Sequence, residues 1–161
     1  MHIRKSFEED IDTIMSLIES GRQIMRSDGN MNQWEKGYPS RSQIKLDVER
    51  GVSYVCVEGN EKIGTFAFIP GPEPAYAKIY DGSWPNDNPY FVIHRIASKA
   101  EVHGIFQLIM DYCFARTNNI RIDTHRDNKI MQFLLKRYDF KYCGIVYLKN
   151  GDERLAYQEK K

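Results

Sequence analysis

"RIASKAEVHGIFQLIMDYC", residues 95–113, decides how this chain is put together. It continues the apolar, strand-like run "YFVIHRIA" (90–97), crosses a short polar turn and enters a helix. Ile105, Leu108, Ile109, Tyr112 and Cys113 recur at helical spacing, so that helix has one apolar stripe to bury. A buried strand followed by an amphipathic helix is the unit from which layered α/β sheets are built. The junction also has chemical potential. A helix N-terminus exposes unpaired N–H groups and about half a positive charge, and such ends hold phosphate. Phosphate cradles are usually glycine-rich, and here Gly104 stands alone. Taken locally, the stretch is either a plain connection or a pyrophosphate site formed from Lys99 to Ile105, with Lys99 and His103 adding donors or charge.

Outward from this junction, the pattern predicts a strand, two helices, three strands, a helix, a strand, a helix and two strands. "MHIRK" is the first strand, and Ser6 is placed to cap a helix whose first turn carries Glu8, Glu9 and Asp10. "RSQIKLDVERG" forms a short second helix ending at Gly51. Gly59-Asn60 and Asn150-Gly151 mark two hairpin turns. The fold class is therefore α/β: one mixed sheet of about seven strands with helices on both faces, in a single domain over residues 1–161.

Two segments interrupt this regular order. "RSDGNMNQWEKGYPS" is a loop carrying Trp34 and Tyr38. "PGPEPAYAKIYDGSWPNDNP" (70–89) holds five of the six prolines with Tyr76, Tyr80 and Trp84 among them. Proline at that density excludes a central strand or a long helix. The aromatic residues favour an ordered loop lying over a site.

Composition bounds the function. The chain has 161 residues and a net charge of +1, so nothing draws the whole molecule to nucleic acid or to an anionic membrane. No apolar run approaches the roughly 20 residues of a membrane helix, and "MHIRKSFEED" lacks the apolar stretch of a signal peptide. Cys56, Cys113 and Cys143 are three and far apart, which argues against a disulfide framework and against a metal such as zinc. A reduced, cytoplasmic protein is expected.

Side chains that could carry chemistry cluster on two strands. In "IRIDTH", alternation places Arg121, Asp123 and His125 on one face. These form either a solvated, salt-bridged face or the wall of a polar cleft, with Asp123 or His125 available for proton transfer. In "YFVIHRIA", His94 and Arg95 interrupt an apolar run, and alternation puts Ile96 on the same face as Val92 and His94. Asn128 is placed to cap the following helix, a role that leaves it free to meet a ligand as well.

Together these residues resemble the GNAT superfamily of acyl-CoA-dependent N-acetyltransferases. The resemblance covers nearly the whole chain in element order and is most specific from Phe91 to Phe140. "IHRIASKAEVHGIF" is similar to the family's strand, glycine-bearing loop and helix, with Gly104 at the first glycine. "RIDTHRDNKIMQFLLKRYDF" is similar to its strand and asparagine-led helix, with Asn128, Met131 and Phe140 in step. The resemblance implies that the strands "YFVIHRIA" and "IRIDTH" splay apart and admit acetyl-CoA. The pantetheine arm would then lie along Ile96 and Ala97. The pyrophosphate would sit on residues 99–105, taking in Lys99, His103, Gly104 and Ile105, with Asn128 near the pantetheine. A small-molecule or peptide amine would enter beneath Trp34, Tyr38, Tyr76 and Trp84, with His94 in its path. Asp123 stands where related enzymes can carry the base, and His125 is better matched in pKa. Paired sheet edges in such folds make a homodimer the candidate assembly.

Two positions depart from the family pattern. Phe106 replaces the second loop glycine, a substitution that would narrow the cradle. Leu135 replaces the tyrosine that usually gives sulfur a proton, with Tyr138 one turn further on. These departures raise the alternative of a diverged, non-enzymatic ligand-binding or regulatory domain.

Overall fold

The computed structural model describes residues 1–35 and 37–161. Its strands are β1 (His2–Lys5), β2 (Ser53–Glu58), β3 (Glu61–Pro70), β4 (Phe91–Ser98), β5 (Asn119–Thr124), β6 (Lys141–Tyr147) and β7 (Glu153–Lys160). Its helices are α1 (Ile11–Ser27), α2 (Arg41–Glu49), α3 (Ile105–Phe114) and α4 (Lys129–Arg137). The strands form one seven-stranded sheet in the order β1-β2-β3-β4-β5-β7-β6. Among the described residues only the central pair β4–β5 is parallel. The other neighbours run antiparallel. The element order and the mixed sheet are those expected from the sequence. No helix among the described residues is long and apolar enough to cross a membrane.

Each face of the sheet carries a core. On one face, α3 contributes Ile105, Phe106, Ile109, Met110 and Cys113, the stripe read from the sequence, and α4 adds Leu135. They pack on Phe66, Phe68, Ile93, Ile120 and Ile122 of the strands. On the other face, Ile11, Ile14, Leu17 and Ile18 of α1 pack with Trp34, Ile44 of α2, Val55, Val57 and Ala97. At the contact of α1 with β4, a Cβ added to Gly21 would come within 3.3 Å of both Ala97 and Trp34, so the absent side chain lets the helix seat closely.

Ser6 does not cap the first helix. Its hydroxyl pairs with that of Ser53 at 2.9 Å, and the helix is led in by a 3-10 turn, Glu8–Asp10. The Asp10 carboxylate accepts the Phe7 N–H at 2.7 Å and is gripped by Arg4 and Lys62. The carboxylate therefore outcompetes the hydroxyl at this terminus. Ser40 does cap α2, accepting the Gln43 N–H at 3.1 Å.

The proline-rich segment packs against the sheet. Tyr76 is buried in a small third cluster with Val92, Val146 and Ala156. Arg121 fastens the segment to β5. Its guanidinium carbon lies 4.0 Å from the ring centres of both Trp84 and Tyr90, and it donates to the Asn86 carbonyl at 2.9 Å.

Candidate active site

The centre of the sheet comes apart. β4 and β5 pair only at Phe91–Ile120 and Val92–Arg121. From Ile93 onward the β4 edge has no strand partner among the described residues. The cause is local. Arg95 adopts φ +55, and β4 carries an extra residue against β3 there, since Ala67 faces His94 while Thr65 faces Ala97. A bulge of this kind bends a strand and re-aims its side chains. It also corrects the simple alternation. Ile96 packs with the α3 core and Ala97 with the α1 core, on opposite faces, and Ile96 does not share the face of His94. Arg95 is held in this conformation by a two-pronged ion pair with buried Asp47 of α2, at 2.8 and 3.0 Å.

Two cavities open at the splay. The first, about 420 Å³, lies between α1, α3 and α4, where Ile96, Ala97, His103, Gly104, Ile105 and Asn128 all line it. Gly104, at φ +86, is the N-cap of α3, a left-handed conformation that suits glycine. The N–H groups of His103, Gly104, Ile105, Phe106 and Gln107 find no acceptor among the described residues. A left-handed glycine followed by outward-facing amides and helix dipole fits a pyrophosphate. The unpaired edge of β4 fits an extended arm with amide groups. Lys99 does not line this cavity; its ammonium pairs with Glu61. Phe106 lines the cavity, yet most of its ring is buried, edge-on to Tyr138 at 5.0 Å.

The second cavity, about 410 Å³, is polar. Trp34, Tyr38, His94 and Asp123 line it, together with residues that the sequence did not single out: Gln33, Asp47, Glu73 and Arg154. Asp123 accepts the Tyr76 hydroxyl at 2.5 Å and lies 3.9 Å from Arg154. His94 stands between two carboxylates. Its Nδ1 is 4.0 Å from Asp123 and its Nε2 is 4.0 Å from Glu73, both longer than a hydrogen bond. Burial holds the His94 imidazole below the usual histidine range, against the pull of the Asp123 charge. Burial, and then the neighbouring Asp123 charge, push the Glu73 carboxyl above its ordinary value. The buried Tyr76 phenol is raised well above its own, by burial and by the same carboxylate. Glu73 escaped notice in the sequence because a proline-rich loop carries no periodicity to assign its direction.

Several expected contacts do not form. His125 lies past the end of β5, where alternation stops. Its Nδ1 accepts the Asp127 N–H at 2.9 Å in the turn before α4, and it lines neither cavity. Tyr76 and Trp84 support the site without lining it: Trp84 Nε1 donates to the Tyr76 carbonyl at 3.0 Å. Leu135 is fully buried in the core, and the Tyr138 hydroxyl is spent on Gln107 at 2.9 Å. Asn128 caps α4 by accepting the Met131 N–H at 3.0 Å. With Met25, Ile96 and Met131 it lines both cavities, which places the opening between them at these four residues.

A split parallel pair, a helix N-terminus beneath the split and a polar pocket opposite together define an acyl-CoA transferase architecture. Comparison with solved structures gives the family. An acetyltransferase of the GNAT family from Streptococcus agalactiae 2603 is 37% identical, with a TM-score of 0.90, covering 99% of this chain and 95% of that one. One from Listeria monocytogenes 4b F2365 has a TM-score of 0.70 at 18% identity, covering 99% and 94%. The NatC complex bound to Gag peptide and CoA shares the fold alone, at a TM-score of 0.61 and 15% identity, covering 100% and 99%. No protein-family model and no curated protein matches. The chain belongs to the GNAT family of acetyltransferases.

Proposed function

We propose that the protein transfers an acetyl group from acetyl-CoA to a primary amine, as one enzymatic domain spanning residues 1–161. The observation that carries this is the meeting of the two cavities at the splay, one suited to a phosphate-bearing arm and the other polar, with His94 between Glu73 and Asp123. Support for a single domain comes from the sheet, which takes strands from both ends of the chain. The acceptor is read as a small-molecule or peptide amine; the NatC complex, which shares the fold, holds a peptide and CoA.

Acetyl-CoA supplies the activated acyl carbon. This chain's residues do the rest. Amides 103–107 would hold pyrophosphate, and the free edge of β4 at Ile96 and Ala97 would orient the arm. Glu73 and Asp123 attract the acceptor as an ammonium ion. An ammonium is no nucleophile, so one proton must leave. His94, held below the usual histidine range by burial and facing both carboxylates, is placed to take it. Asp123, fixed by Tyr76 and Arg154, steadies the imidazolium that results. With Leu135 and Tyr138 both unable to donate, the thiolate leaves on its own acidity, near a pKa of about 8.5. His94→Gln tests the assignment: kcat should fall about 10²–10⁴-fold with CoA affinity unchanged. Full activity in that variant would exclude His94 as the base.

A further inference from the structure

The loop before α2 sends one side chain into the polar cavity, where it meets Asn128 at the edge of the opening. The Gln33 Oε1 atom accepts from Asn128 Nδ2 at 2.9 Å, from Asn30 Nδ2 at 3.1 Å, and from Thr124 Oγ1 and the His125 N–H at 3.3 Å each. Its orientation is forced. The Met131 N–H fixes Asn128 Oδ1, so Asn128 turns its NH₂ toward Gln33. The His125 amide, also a donor, faces the same atom. Only an oxygen satisfies both, so the Gln33 NH₂ must point away from this hub. Gln33 lines the polar cavity, and its Nε2 has no acceptor among the described residues. The hub ties it to Asn128, one of the four residues lining both cavities. A second anchor fixes its backbone, whose carbonyl accepts from Arg154 at 3.1 Å. The result is an uncharged donor held in the polar cavity, one hydrogen bond from a residue of the opening that an acyl group must cross.

We infer that Gln33 is a catalytic residue whose Nε2–H donates to the acyl oxygen of the thioester and to the oxyanion that develops on it. This rests on the acetyl-transfer assignment above. In the step, the amine nitrogen forms a bond to the carbonyl carbon, and the carbonyl π pair moves onto oxygen. The ammonium proton has by then passed through His94 to water, and the second proton, lost from nitrogen once the new bond forms, goes to the imidazole so freed. The oxyanion then re-forms the carbonyl, the C–S bond breaks, and sulfur leaves with that electron pair as thiolate. Negative charge exists on the oxygen only in mid-step. A preorganised donor there lowers the barrier without tightening ground-state binding, and loss of one such donor costs about 10²–10³ in kcat.

The test uses two variants of the full chain. Gln33→Glu keeps an oxygen for the hub and removes the donor. Gln33→Met removes the donor without adding charge. Acetyl-CoA labelled with 13C at the acetyl carbonyl reads the hydrogen bond without turnover: the bound carbonyl signal should lie downfield in the wild type and move back toward its free position in both variants. With an accepted amine, kcat should fall about 10²–10³-fold, while the CoA dissociation constant from calorimetry changes less than about threefold. An unmoved carbonyl signal or full kcat in either folded variant overturns the inference. So does a loss confined to Gln33→Glu, which would reflect repulsion and not a missing donor. CoA affinity collapsing along with kcat would also overturn it, by making Gln33 a structural strut. If the wild type binds CoA and shows the downfield carbonyl but acetylates no amine, the acetyl-transfer assignment fails while the donor stands.

Discussion

Replacing Asp123 by Asn is the most informative single perturbation of the site. The change preserves size, and the amide oxygen still accepts the Tyr76 hydroxyl; only the charge is lost. Asp123 Oδ2 lies 4.0 Å from His94 Nδ1. A unit charge at that distance is worth about 4 kcal/mol at an effective dielectric constant near 20, or roughly 3 pKa units as an upper bound. Arg154, at 3.9 Å, already offsets part of that charge, so the His94 pKa is expected to fall by less than that bound. Since burial has placed His94 below its usual range, the variant moves it further down. The acid limb of kcat/KM, which reports the free enzyme's base, should shift to lower pH by the same amount. The plateau should drop as well, because a weaker base takes the amine proton less readily. Stability carries the same signature. A histidine with a depressed folded-state pKa contributes stability that is present above about pH 6.5 and lost as pH falls through the folded value. Asp123→Asn should deepen that loss. NMR titration of the His94 imidazole, assigned by its disappearance in His94→Gln, measures the shift directly. A pKa that stays put or rises would refute the proposed electrostatic coupling.

Other consequences are simpler to read. Arg95→Ala leaves Asp47 buried without its cation and should cost about 3–5 kcal/mol in urea denaturation. Gly104→Ala forces a Cβ into φ +86, at a cost of about 1–2 kcal/mol. For a domain of this size that lowers Tm by roughly 2–8 °C, and CoA affinity should weaken with it. Phe106→Ala removes a ring shared between core and cofactor cavity, so thermal stability should fall by about 3–5 kcal/mol by scanning calorimetry. CoA at 100 times its dissociation constant should stabilise the wild type by about 2.7 kcal/mol.

The sequence carried the architecture because periodicity and turn residues are local. The stripe from Ile105 to Cys113, the two glycine hairpin turns and the order of elements all follow from neighbours in the chain. The capping role of Asn128 and the helix N-terminus at Gly104 were legible for the same reason. What failed was extrapolation of regularity past the points where it breaks. Alternation in β4 is reset at Arg95 by a bulge that depends on Asp47, 48 residues away. In β5 it ends at Thr124, which removes His125 from the wall that Asp123 forms. Arg121, on the same face as Asp123, is consumed by Trp84 of the proline-rich segment and by Tyr90 just after it. Lys99 finds Glu61, a partner no spacing rule connects to it. Glu73 and Gln33 lie on loops, where tertiary contacts alone decide direction, so pattern could not nominate either.

The central claim is that an acyl group crosses from the α3 cavity to an amine in the His94 cavity. Free-thiol release from acetyl-CoA, measured over a panel of small amines and peptide N-termini with mass analysis of the acceptor, tests it most directly. The account predicts thiol release that depends on at least one amine, matched one-to-one by an acetyl group on its nitrogen, and lost in His94→Gln. Thiol release at the same rate with and without amine, or none at all from an enzyme that CoA fails to stabilise, would contradict it.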